Sequence, residues 1–399
     1  PTLLFVNMST EKALKMVDDI VKLVDSVEDE KKDGGNNQIS IDGEFHVMGL
    51  DSSTQSLTIK IFAVSSGKFE CIASVSINFD KELGDKYKVK NGVKQNDETH
   101  EVTAPTEMFI EALDIALNKL KTENKVDFSK IVCLSGSGQQ HGTVYWRTGA
   151  IKRLQNLDSK QTLLSNLSGC FAIADGPIWM DSSTTVQCRE LEDKIGSPEK
   201  VAKISGSRAY ERFSGNQIAK IAKKYEGIYS METERIALVS SFMCSLFIGD
   251  YAPIDLSDGS GMNLLDIDKH RWHMGLLAST AHGLRPKLGD KVANSYDVLQ
   301  KINKYFVERY GFNKDCQVVA FSGDNPCSLA GLMVVEEGDI CVSLGTSDTL
   351  FAITKTPKPQ TEGHVLCSPI HEKKYMILLC YKNGSISREN IKNKYFPNS

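Results

Sequence analysis

Asp258 stands in Pro253-Ile-Asp-Leu-Ser-Asp258-Gly-Ser-Gly-Met-Asn-Leu-Leu265, a carboxylate followed at once by Gly-Ser-Gly. Transfer of a phosphoryl group to an alcohol needs a carboxylate that accepts the hydroxyl proton and positions the oxygen. The glycines predict that Asp258 lies exposed on a loop where a ligand can approach. A plainer role is to cap the following turn, and Asp255, Asp266 and Asp268 compete for the catalytic one. A second stretch, Asp51-Ser-Ser-Thr-Gln55, suits phosphate. Backbone N–H groups and small hydroxyls at a tight turn can hold phosphate oxygens. The carboxylate at the strand end can orient a hydrated magnesium ion. Taken alone, the same residues could form an ordinary hairpin turn whose polar groups satisfy one another.

Ile340-Cys-Val-Ser-Leu-Gly345-Thr-Ser-Asp-Thr-Leu-Phe351 repeats that chemistry late in the chain. Two strand–turn–strand segments of this kind, one early and one late, are the pattern of a duplicated ATPase fold. Its two phosphate loops close on a nucleotide from opposite domains. Between them, Leu134-Ser-Gly-Ser-Gly-Gln-Gln-His141-Gly-Thr is a glycine-rich turn after a strand, and its Gln and His side chains suit a polyhydroxylated ligand. The bland role for His141 is a histidine satisfied within its own turn. Metal binding is not expected there, because no second ligand sits at metal spacing.

These residues must be positioned by regular elements. Phe45-His-Val-Met-Gly-Leu50 reads as a buried strand, and Leu57 to Val64 as an alternating one, so the Asp51 turn joins a hairpin. Ile131 to Leu134 reads as a strand that enters the His141 turn. A helix is predicted over 105–120, with apolar Phe109, Leu113, Ala116 and Leu117 and a proline in its first turn. Residues 80–101 are polar and read as a surface excursion. Strands and helices alternate to the end, which makes the class α/β. Residues 1–45 read as an appendage: a helix with apolar Leu14, Val17, Ile20, Val21, Val24 and Val27, then a charged, glycine- and asparagine-rich linker.

The 399 residues predict two domains, and a hydrophobic fraction of 41% with 25% charged residues is that of a soluble globular chain. A net charge of -4 gives no global attraction for nucleic acid or for an anionic membrane. No apolar run reaches the length of a membrane span. The ten cysteines contain no CxxC pair and several sit in apolar strands, so unbonded thiols and a cytoplasmic location are expected.

Six segments together resemble the FGGY family of carbohydrate kinases, in its xylulokinase branch of the animal type. They are Gly138-Gln-Gln-His-Gly142, Trp179-Met-Asp-Ser-Ser-Thr184, Gly206-Ser-Arg-Ala-Tyr-Glu-Arg-Phe213, Ser257-Asp-Gly-Ser-Gly-Met-Asn263, Phe321-Ser-Gly-Asp-Asn-Pro326 and Ser343-Leu-Gly-Thr-Ser-Asp-Thr349. The resemblance implies two actin-like, ribonuclease-H-like domains with sugar and ATP in the cleft between them. It implies an N-terminal sugar-binding domain over 46–317 and an incomplete ATP-binding domain over 318–399. Asp258 resembles the family's catalytic base, and His141, Arg212, Asp324 and Asn325 its sugar contacts. Asp51, Ser53, Thr54 and Gln55, with Gly345, Thr346 and Ser347, resemble its two phosphate turns, which handle ATP with Mg2+. Trp179 and Met180 are expected to pack beside the sugar. The family's glycine-rich adenosine-binding stretch has no counterpart here, so a C-terminally truncated member is expected. The implied reaction is phosphorylation of D-xylulose by ATP. A kinase for another ketose or polyol, or a truncated non-catalytic sugar-binding form, stays open beside it.

Overall fold

A computed structural model describes residues 44–65, 68–344, 348–381 and 384–395. The expected N-terminal helix and linker, and the turn Gly345-Thr346-Ser347, lie outside the described residues. Strand β1 (Phe45–Ser52) alternates strictly, turning His46, Met48, Leu50 and Ser52 inward. It pairs antiparallel with β2 (Ser56–Ser65), and the register sets Asp51 opposite Thr58 and Ser52 opposite Leu57. The expected hairpin is therefore present, closed by Ser53 N–H donating to the Ser56 carbonyl at 3.0 Å. β3 (Lys68–Asn78) completes the meander as an edge strand.

Residues 80–101 lie mostly at the surface, as expected, but carry regular structure. Helix α1 (Phe79–Tyr87) forms because the Asn78 side chain caps it by accepting from Lys81 N–H. Its apolar residues at four-residue spacing, Phe79 and Leu83, are buried. The short strands Lys94–Asn96 and Glu101–Pro105 then pair as a hairpin. Helix α2 (Thr106–Thr122) follows with Phe109, Leu113, Ala116 and Leu117 all buried, as its spacing predicts.

β4 (Ile131–Gly138) lies parallel to β1, with Asp51 beside Ser137 and Ser52 beside Gly138. Helix α3 (Val239–Ile248) is buried at every position and packs on β4. A four-residue helix, α4 (Leu256–Gly259), follows. Two short strands, β5 (Gln317–Val319) and β6 (Ser322–Gly323), also pair parallel with β4. The first sheet has seven strands, in the order Val298–Lys301, β5, β4, β1, β2, β3, with β6 alongside β4. It thus contains residues up to Gly323. Helix α5 (Asp324–Gly331) leaves directly from β6.

A separate four-stranded antiparallel sheet follows: β7 (Ile340–Leu344), β8 (Asp348–Thr354), β9 (His364–Cys367) and β10 (Tyr375–Tyr381), in the order β7-β8-β10-β9. β7 and β8 form the late hairpin expected from the sequence. Phe351, Ile353, Leu366, Met376 and Leu378 build a small core with Leu329 and Val334. β9 serves two cores. Leu366 joins this one, while Val365 and Cys367 pack with Leu256, Met262 and Ile267 of the first unit.

Candidate active site

The parallel pairing of β1, β4 and β6 aligns three strand ends: Ser52, Gly138 and Gly323 lie abreast. Two loops, Ser53–Gln55 and Gln139–His141, and the first turn of α5 with Asp324 and Asn325 leave them. Ligands of open parallel sheets bind beyond the carboxyl ends of such strands. Residues far apart in sequence are brought together here for that reason.

Asp51, half-buried, accepts from the Ser53 hydroxyl and, at 2.7 Å, from the Ser137 hydroxyl beside it in register. Thr54 Oγ1 accepts from the Trp179 indole N–H at 2.8 Å, and Gln139 N–H donates to the Ser52 carbonyl at 2.9 Å. Gln55 is exposed at the outer end of the turn. Asp324 Oδ1 accepts from Gln140 N–H at 3.1 Å and from Asn325 N–H at 3.0 Å. Asn325 Nδ2 donates to Gln140 Oε1 at 2.9 Å. Burial, and then the negative charge of Asp51, push the Asp324 carboxyl up to about 6.

Asp258 is fully buried. It lies in α4 and not on an exposed loop, which corrects the expectation. The reason is its neighbour. Asp255 caps α4 by accepting from Ser257 N–H and Asp258 N–H, and it also takes the Ser295 and Ser322 hydroxyls at 2.6 and 2.8 Å. Asp255 has spent its lone pairs on structure. Asp258 has not: Oδ2 accepts from the Ser240 hydroxyl at 2.6 Å, while Oδ1 is buried beside the Gln140 side chain and makes no close hydrogen bond among the described residues. A Cβ on Gly323 would stand 2.8 Å from that oxygen, so only a glycine leaves it room at the end of β6. Burial first, then the charge of Asp255, raise the Asp258 carboxyl well above the usual carboxylate range. Of the other competitors, Asp266 is held low by its bond to Lys269 despite partial burial, and Asp268 is exposed.

His141 adopts a left-handed backbone, φ +69°, at the turn after β4. Its ring is not satisfied within its own turn. Nδ1 donates to the Gly261 carbonyl at 2.9 Å, and the ring stacks on Phe213 at 4.6 Å. Burial and the Arg212 charge keep its pKa far below the ordinary histidine value, so the ring is neutral. Arg212 sits on the loop between the helices Pro198–Ser205 and Ser214–Lys224. Its Nη2 meets His364 Nε2 at 3.0 Å, its guanidinium lies 5.6 Å from the Tyr210 ring centre, and its Nε is buried without a partner. Arg212 and His364 border a cleft of about 540 Å³, with Trp179, Met180, Tyr210 and Tyr381 also on its walls. Trp179 and Met180 are 40% and 38% exposed, so they face this cleft and are not core packing.

Sequence reasoning did not single out Ser240, Ser137 or His364, and it weighed Gln140 only as one of the two glutamines of its motif. Ser137 lies inside the same glycine-rich motif and could have been weighed. Ser240 and His364 carry no local signal, since each acts through a partner on another element. Among the described residues no group of three or more His, Cys, Asp or Glu could cage a metal ion. The oxygen donors of Asp51 nonetheless fit a hydrated Mg2+ held with substrate phosphates, the habit of that ion. All ten cysteines are unbonded. No helix among the described residues is long and apolar enough to cross a membrane.

Residues 172–331 match the FGGY family of carbohydrate kinases, N-terminal domain, a span that holds Arg212, Asp258, Asp324 and Asn325. Over 348 residues the chain is 48% identical to xylulose kinase 2 of Arabidopsis thaliana, covering 87% of this chain and 61% of that protein. It is 49% identical to the xylulose kinase of Rattus norvegicus over 347 residues, again 87% of this chain and 63% of the relative. The chain thus spans less than two thirds of the length of these curated relatives. In fold it superposes on the xylulose kinase of Rhodospirillum rubrum with a TM-score of 0.71 at 12% identity, covering 89% of this chain and 64% of that one. A xyloylose kinase from Brucella ovis gives 0.69 at 19% identity, with 88% and 63% covered. The architecture is the mixed α/β, two-domain actin-like fold of these sugar kinases. Residues 172–331 carry the N-terminal domain of the FGGY family of carbohydrate kinases, and the chain is similar to xylulose kinases over 87% of its length.

Proposed function

We propose that this chain carries the acceptor site of an ATP:D-xylulose 5-phosphotransferase, with Asp258 as general base. The observation that supports it most is the Asp258 carboxyl buried at the Gly323 strand end, with one oxygen fixed by Ser240 and Oδ1 beside the Gln140 side chain, making no close hydrogen bond among the described residues. The terminal hydroxyl of the sugar gives its proton to Asp258 as its oxygen bonds to the γ-phosphorus of ATP, and the bond to the β,γ-bridging oxygen breaks to release ADP. Neutral His141, Asp324 and Asn325 supply acceptors and donors for adjacent hydroxyls, and Arg212 a rigid fork of donors. Asp51, Ser53, Thr54 and Gln55 serve the phosphates, and so do Gly345, Thr346 and Ser347. Mg2+ would supply charge neutralisation on the phosphates, with Asp51 as the residue to orient it.

On domain organisation, we place the sugar-binding unit from residue 46 through α5, because β5 and β6 belong to its sheet and the family match runs to 331. The sheet of β7 to β10 begins the nucleotide-binding unit, and residues 1–45 form an extension. A cytoplasmic location agrees with the unbonded cysteines. The high identity to proteins named xylulose kinase favours D-xylulose over other acceptors. ADP release by the whole gene product, assayed with a panel of ketoses and polyols, tests the reading. D-xylulose is expected to give the highest kcat/KM, and a clear preference for ribulose or glycerol would reject it.

A further inference from the structure

β9 is four residues long, yet it is fastened to both halves of the acceptor site. At one end Val365 N–H donates to the Gly206 carbonyl at 2.9 Å, on the loop that carries Arg212. At the other, Cys367 N–H donates to Ser260 Oγ at 3.0 Å, and the Ser257 hydroxyl donates to the Cys367 carbonyl at 2.6 Å. Ser257 and Ser260 flank Asp258 in the α4 turn. Val365 and Cys367 pack in the core of the first unit while Leu366 packs in that of the second sheet.

The side chain at the head of this strand is His364, 5% exposed. Its Nε2 lies 3.0 Å from Arg212 Nη2, and its Nδ1 3.0 Å from Ser207 Oγ. A guanidinium can only donate, so Nε2 must be the acceptor and Nδ1 carries the proton, which it donates to Ser207. The ring is wedged edge-on against Tyr210 at 4.8 Å and lies 5.1 Å from Phe213. Burial and the Arg212 charge hold its pKa down to about 3, which keeps Nε2 free to accept. Arg212 Nε is buried and has no partner among the described residues.

We propose that His364 is a positioning residue: it orients the Arg212 guanidinium toward the acceptor sugar and ties the β7–β10 sheet to the sugar side of the cleft. The proposal rests on the reading of Arg212 as a sugar contact. The sheet that carries the second phosphate turn is thereby joined to a sugar-binding side chain through one imidazole. Through Cys367 the same strand reaches the turn that bears Asp258. Displacement of the sheet must therefore move Arg212 and Asp258 together.

The test is calorimetric titration of D-xylulose into the 399-residue chain and its variants. His364→Leu, which fills the space without an acceptor, is expected to weaken binding about tenfold, the worth of one hydrogen bond to a charged group. His364→Gln, whose Oε1 can accept from Nη2, should recover most of that loss. In an Arg212→Ala background His364→Leu should cost nothing further. Undiminished binding by His364→Leu, or its full loss persisting in the Arg212→Ala background, would overturn the proposal. Undiminished binding by Arg212→Ala alone would instead remove Arg212 from the sugar site. A second readout needs no ligand and guards against misfolded variants: ring 15N shifts of His364 in the unmodified chain at neutral pH. The Nδ1–H tautomer with an accepting Nε2 is expected, and an Nε2–H tautomer would refute the bond to Arg212.

Discussion

Asp255 and Asp258 show how two carboxylates three residues apart can be given different work. Asp255 accepts two backbone N–H groups and two hydroxyls, whereas Asp258 keeps one oxygen without a close hydrogen bond among the described residues. Removing the charge from Asp258 should therefore cost catalysis and not structure. Asp258→Asn is expected to lower turnover by roughly 10²-fold or more while D-xylulose affinity changes little. Normal turnover in that variant would exclude Asp258 as the base. The raised carboxyl also fixes a direction with pH. The base acts only when ionised, so the rate should climb with pH through a limb well above the ordinary carboxylate value of 3.8. Stability runs the other way. The folded chain binds the Asp258 proton more tightly than the unfolded chain, so this group lowers stability as pH rises above about 4. The thermal midpoint of Asp258→Asn should exceed that of the parent by a margin that grows as pH rises above about 4 and vanishes below it. A margin independent of pH would show that Asp258 is not a raised carboxyl. The motif around Asp258 was legible in the sequence. Its burial was not, because Gly-Ser-Gly reads as an exposed loop until the cap by Asp255 and the bonds to β9 are known.

At the scale of elements, the site depends on how closely α3 can approach the end of β4. A Cβ on Gly138 would stand 2.4 Å from the Ser240 nitrogen and 2.8 Å from the Val239 carbonyl carbon, both backbone atoms that cannot rotate away. Gly138→Ala must push α3 outward, at about 1–3 kcal/mol. Ser240 rides on that helix and holds Asp258, so turnover should fall with stability. Urea unfolding together with xylulose-dependent ADP release measures both, and an unchanged midpoint would mean that α3 sits farther away. Hairpin β1–β2, strand β4, helix α2 and hairpin β7–β8 followed from alternation, helical spacing and turn residues. Helix α1 was missed because its apolar face is only Phe79 and Leu83 in a polar stretch, and its start depends on the Asn78 cap. The alignment of Ser52, Gly138 and Gly323 could not be read at all, since parallel register is set by pairing between distant segments and not by any local pattern.

Across the whole molecule the two sheets differ in how they are covered. The first packs α2 and α3 over one continuous core, and α3 is buried along its entire length. The second has one packed face. On its other face, register sets Val342 beside Leu350 and Leu379, and Leu344 beside Asp348 and Tyr381. Ile340, Val342, Leu344 and Tyr381 there are 65%, 57%, 64% and 61% exposed. Each of these side chains forgoes much of its burial energy, about 25 cal/mol per Å² of apolar surface, so the β7–β10 sheet must open at lower cost than the first. Among the described residues β7 is also an edge strand of its sheet, with no strand paired along its outer side. β9, bonded to Gly206, Ser257 and Ser260, shares the stability of the first unit. Hydrogen exchange of the 399-residue chain is therefore expected to rank β7 and β8 fastest, β10 next, and β9 with β4 and α3 slowest. D-xylulose should slow exchange at β9 and around Asp258 more than at β7, because the sugar side of the cleft is built on the packed unit. Uniform exchange across β7 to β10, with β9 as fast as β7, would show that the strand is not anchored to the acceptor site.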